Sequence, residues 1–142
     1  MKTYINGTPV ENIGESDVWV DQQSDQSKRE ALSYLLDYAH KITQAYPEIE
    51  EIRIFGQFLH STTFEPHSMV DLLIILSQTT IPIERRHQAY APHQLYPRLQ
   101  IYPLTREEID KAIRVGNTTL SKVLERSVLL HQNPIEKQQI VG

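Results

Sequence analysis

The chain has 142 residues, no cysteine and a formal net charge of −4. That length suits one domain with a core of its own, and the missing cysteines exclude thiol nucleophiles, thiolate zinc sites and disulfide scaffolds. The acidic balance argues against strong non-specific nucleic-acid binding through phosphate contacts.

The longest apolar run, Val70 to Leu76 interrupted by Asp71, falls far short of the roughly 20 residues of a membrane-spanning helix. Met1 to Gly7 carries no basic region followed by an apolar core, so no secretory signal is expected. A cytoplasmic location with no membrane partner follows as the expectation.

Residues 1–26 read as a hairpin or arm. Asn6-Gly7 is a turn signal and Val18-Trp19-Val20 a short β-like cluster, and the segment is more apolar than a disordered tail requires. It is expected to pack on the domain or on a neighbouring subunit. Ser27 with Glu30 makes a capping box. Ala31, Leu32, Leu35, Leu36, Ala39 and Ile42 then recur at helical spacing, which predicts a helix from about residue 28 to 45, stopped before Pro47.

Ile49 to Phe55 alternates apolar and polar residues and predicts a strand running into a turn at Gly56. After a loop rich in Ser, Thr and Pro, Met69 to Leu76 is almost wholly apolar and predicts a central strand covered on both faces. Pro82 can open a helix, and the charge of Glu84-Arg85-Arg86-His87 places that stretch in solvent.

Leu99 to Tyr102 predicts a third strand with Pro97 and Pro103 at its ends. Thr105 with Glu108 forms a second capping box, opening a helix to about Val115. Ser121 to Leu130 closes the fold as a helix or strand, and residues 134–142 form a polar tail. The sum is an α+β fold, two-layered, with a mixed sheet flanked by helices in a domain over residues 27–133.

The strand, glycine turn, loop, strand arrangement has a chemical use. A turn leading into a helix N-terminus offers backbone N–H groups to a phosphate, and glycine lets the backbone approach closely. Residues two apart on a strand share a face, so positions 69 and 71 project side by side toward whatever the turn holds.

Phe55-Gly56-Gln57 followed by Ser68-Met69-Val70-Asp71-Leu72 resembles the minimal nucleotidyltransferases of the DNA polymerase β superfamily. There the first strand usually ends in Phe-Gly-Ser and the second carries Ser-Asp-x-Asp-Leu. The similarity continues through Leu99 to Thr105 with Glu107-Glu108, and through Asn117 to Leu130. It implies nucleotide binding at Gly56, Gln57 and Ser68, with Asp71 as catalytic and metal-binding carboxylate. In that family two carboxylates on the second strand and a third on the next hold two magnesium ions. Such a pair, about 3.5–4 Å apart, needs several carboxylate oxygens around hard cations.

This chain departs from the pattern at three places. Met69 stands at the first carboxylate position, and a thioether is a poor magnesium ligand. Gln57 replaces the serine of the turn, and Gln100 matches the third carboxylate without its charge. One carboxylate binds magnesium weakly or not at all and cannot build a two-metal clamp. Glu65 and His67 in the intervening loop are the residues that would have to restore a ligand set. His60 and His67 fix no shared face and read as solvated, and Tyr90, Tyr96 and Tyr102 pack under the third strand or line a cleft edge.

Two functions follow. One is a catalytically impaired or inactive protein of nucleotidyltransferase fold that retains a nucleotide cleft. The other is an active magnesium-dependent enzyme transferring a nucleoside monophosphate from an NTP to a hydroxyl on a protein, nucleic acid or small molecule. Small members of the resembled family often pair with a helical protein as toxin and antitoxin, so a protein partner or a homodimer is implied as well.

Overall fold

A computed structural model describes residues 26–65, 67–92 and 96–132. The N-terminal arm up to residue 25 and the tail from residue 134 lie outside the described residues.

Helix α1 (Gln26–Ala45) buries Ala31, Leu32, Leu35, Tyr38, Ala39 and Ile42 along one face. This is the apolar stripe that helical periodicity dictates, and each fully buried leucine contributes about 1.5–3 kcal/mol of transfer free energy. The helix is already formed at Gln26. Ser27 therefore sits inside it rather than ahead of it, and its hydroxyl accepts the Phe64 N–H at 3.2 Å.

Strands β1 (Ile49–Phe55), β2 (Met69–Leu76), β3 (Arg98–Thr105) and β4 (Val128–Gln132) form one mixed sheet in the order β3-β2-β1-β4. β1 runs antiparallel to β2 and to β4, whereas β2 and β3 are parallel. Helix α2 (Ile83–Ala89) lies on the connection between those parallel strands.

β2 is central, and its two faces feed two cores. Val70, Leu72, Ile74 and Leu76 join the α1 side with Ile52, Ile54, Ile101 and Tyr90. Leu73 and Ile75 point the other way, onto Ile109 of α3 (Arg106–Arg114) and the partly buried Leu120, Val123 and Leu124 of α4 (Thr118–Arg126). A strand covered on both sides is apolar throughout, and Asp71 is the exception within it.

The capping box at Thr105 forms in full. Glu108 N–H donates to Thr105 Oγ1 at 3.1 Å, and Thr105 N–H donates to Glu108 Oε1 at 2.9 Å. α3 ends at Arg114 and is capped by Val115, and Gly116 follows with a φ of +93° that suits glycine. Asn117 then caps α4 by accepting the Leu120 N–H at 2.8 Å. The closing segment is both helix and strand, because Ser127 breaks α4 and lets Val128 to Gln132 pair with β1.

Two further expectations are corrected. Arg86 is buried, only 6% exposed, rather than solvated with the rest of its run. Its guanidinium forks onto both Glu108 oxygens at 2.7 and 3.0 Å and donates to the carbonyls of Ile81 and Pro103. A charge survives burial when it is paired and hydrogen-bonded in this way.

Pro103 also lies within β3 rather than at its end. β3 is an edge strand, and the Pro103 carbonyl points outward to Arg86 at 3.3 Å. Since N and C=O of one strand residue face the same side, the missing N–H removes no bond to β2.

Candidate functional site

The chain turns sharply after β1 because Gly56 has φ +87° and ψ −153°, a region open essentially to glycine alone. The turn continues as a single 3-10 turn, Gln57–Leu59, closed by Leu59 N–H to Gly56 O at 3.1 Å and His60 N–H to Gln57 O at 3.0 Å. Phe58 of this turn is buried against Phe64. Lys28 of α1, itself buried, donates to the Ser61 carbonyl and stands 5.0 Å from the Phe58 ring centroid. Together with the bond from Phe64 to Ser27, this ties the loop after Gly56 to the first turns of α1.

Across the sheet, Asp71 of β2 pairs in register with Phe55 of β1 and with Gln100 of β3. Its carboxylate faces the bend so closely that a Cβ built on Gly56 would lie 2.8 Å from Asp71 Oδ2. Gly56 and Asp71 are thus brought together as the sequence anticipates.

Met69, two residues back on the same face, is 44% exposed. Gln57, Ser68 and Met69 line a separate pocket of about 200 Å³ with Phe58, Ser61, Thr63, Phe64 and Glu65. The expected nucleotide-binding residues therefore divide between two adjacent places, Gly56 beside Asp71 and Gln57 with Ser68 in the loop pocket.

The electrostatics single out Asp71. No hydrogen bond or ion pair reaches its carboxylate among the described residues, and burial alone pushes its carboxyl above the ordinary range. A half-buried carboxylate without a donor costs stability, and such groups concentrate at functional sites.

Beside it, the rings of Phe55 and Tyr102 meet across β2, with centroids 5.5 Å apart and planes tilted by 51°. Tyr102 is 41% exposed on this face of the sheet. Burial raises its hydroxyl pKa, and the nearby Asp71 charge adds to the rise. The Phe55–Tyr102 pair could not be read from the sequence, because it depends on β2 lying between β1 and β3.

The donor set does not fit two magnesium ions. Met69 and Gln100 flank Asp71 where further carboxylates would be needed. No three of His, Cys, Asp or Glu gather as a metal site among the described residues. Glu65 and His67 are both exposed, and neither is gathered with Asp71 into such a group among the described residues.

No protein-family model and no curated protein matches the sequence. Among solved structures, a "putative nucleotidyltransferase" from Sulfolobus solfataricus is similar with a TM-score of 0.50 at 17% identity, covering 79% of this chain and 93% of that one. The fold is nucleotidyltransferase-like. No helix of the described residues is long and apolar enough to cross a membrane.

Proposed function

We propose that this protein is a binding module on a nucleotidyltransferase-like fold, derived from the polymerase β superfamily, whose two-metal catalysis has been lost. The observation that carries the reading is the row of side chains at the bend: Met69 and Gln100 stand beside Asp71 as its strand neighbours, and Asp71 alone is charged. Transfer of a nucleotidyl group requires charge neutralisation on the triphosphate and on the attacking oxygen. One carboxylate with a thioether and an amide cannot hold the ions that supply it.

A nucleotide retained by this module would lie against Gly56, Gln57 and Ser68 without turnover, and magnesium would be held weakly by Asp71 or not at all. A protein partner or a second copy of the chain belongs to the same reading, and light scattering with and without candidate partners measures it.

The deciding experiment incubates the full chain with each NTP and Mg²⁺ or Mn²⁺, following pyrophosphate release beside calorimetric binding. The expected result is no release above the no-protein control, in wild type and in Asp71→Ala alike. Metal-dependent release abolished by Asp71→Ala would overturn the proposal and establish the active nucleotidyltransferase instead.

A further inference from the structure

We infer that the partly exposed sheet face at Asp71 receives an organic cation, an alkylammonium or guanidinium group, against the Asp71 carboxylate and the Phe55–Tyr102 aromatic pair. This rests on the reading above only in requiring that the two-metal set is gone.

Asp71 is a half-buried anion with no donor among the described residues. Its location is fixed by strand register, so a cation must come to it rather than it swinging to one. What surrounds the carboxylate decides which cation. A hard, strongly hydrated divalent ion needs several oxygen ligands. Among the in-register and same-face neighbours Phe55, Met69, Gln100 and Tyr102, only the Gln100 amide and the Tyr102 hydroxyl offer a side-chain oxygen, and neither is a carboxylate.

On the same face Phe55 and Tyr102 are in ring contact, Met69 is exposed, and Arg98, in register with Met69, forms no ion pair with Asp71 among the described residues. Aromatic faces attract cations through the ring quadrupole, and a guanidinium, with its spread charge and weak hydration, suits a site made of one carboxylate and flat rings. Gly56 leaves the carboxylate room, since a side chain there would press on Oδ2.

The test is a ¹⁵N-edited NMR titration of the full chain at constant ionic strength, with three probes added separately: agmatine, an end-capped Gly-Arg-Gly peptide and MgCl₂. Saturable shifts at Gly56, Asp71, Gln100 and Tyr102 are expected with agmatine or the peptide, and no matching saturation with Mg²⁺ at equal concentration.

Asp71→Asn should abolish saturation. Tyr102→Leu should weaken binding about 2- to 5-fold, while Tyr102→Phe should leave it nearly intact. Tighter binding of the peptide assigns the cation to a partner protein's side chain, and tighter binding of agmatine assigns it to a free amine. No saturable shift with either organic probe, equal or stronger response to Mg²⁺, or persistence of binding in Asp71→Asn would each overturn the site. Silence toward agmatine without NTP turnover removes only this inference, whereas metal-dependent pyrophosphate release removes the reading beneath it.

Discussion

Burial opposes ionisation of Asp71 in the folded state, and the pH dependence expected of it follows from the sign of that shift. Burial raises the folded carboxyl above its unfolded value, so the folded state binds the proton more tightly. The cost of holding the anion is therefore complete above the folded value and is relieved as pH falls through it toward the unfolded aspartate value of about 3.9. Asp71→Asn should consequently raise Tm modestly at neutral pH, with the gain shrinking as thermal unfolding is repeated toward pH 4. A Tm lowered by the substitution at pH 7 would mean that the carboxylate has a stabilising partner. Gly56 makes the complementary case. At φ +87°, with Asp71 Oδ2 where a Cβ must go, Gly56→Ala should lose about 1–3 kcal/mol of stability in urea unfolding. Asp71→Ala in the same background should recover part of that loss by removing the contact.

Among the elements, α2 and α3 are joined to the edge of β3 through one ion pair. Arg86 holds Glu108 by two hydrogen bonds and also takes the Pro103 carbonyl. The guanidinium holds the Glu108 carboxyl below its usual range, helped by the bond from the Thr105 backbone. Here the sign is opposite to that of Asp71. The stabilisation is fully present above the unfolded glutamate value of about 4.3 and is lost as pH falls through the lower folded value. Glu108→Gln preserves the capping box, since glutamine serves at that position, but leaves the buried Arg86 without its counter-charge. With Glu108 about a third exposed, the cost should be about 2–4 kcal/mol at pH 7, less than the roughly 3–5 kcal/mol of a fully buried pair because solvent screens it. Wild-type and variant Tm values should converge as pH falls below the unfolded glutamate value and through the lowered folded one; a pH-independent difference would place the loss in packing instead.

For the molecule as a whole, β2 is shared by two cores, and this accounts for the layering of the fold and for where Asp71 lies. α1 covers one face of the sheet, while α3 and α4 cover the far end of the other through Leu73, Ile75 and Ile109. At the near end of that second face Met69 and Tyr102 are exposed, and Asp71 lies beside them. Arg106 reaches from the start of α3 to Glu50 and Glu51 of β1, and Arg53 of β1 reaches Ser127 after α4. These partly buried links fix α3 and α4 to the sheet.

The helices and strands were legible because their signals are local: the stripe of α1, the alternation of β1, the apolar run of β2 and the Thr105 capping box each concern residues within a turn or a pleat of one another. The approach of Asp71 to Gly56 was anticipated too, since a period of two and a glycine bend suffice for it. Arg86 read as solvated because a charged run carries no mark of the carboxylate 22 positions away that allows its burial. Pro103 read as a strand end because its tolerance depends on which edge its strand occupies. The Phe55–Tyr102 pair beside Asp71 was hidden for the same reason: strand order is set by long-range burial, and it alone determines which side chains meet across a neighbouring strand.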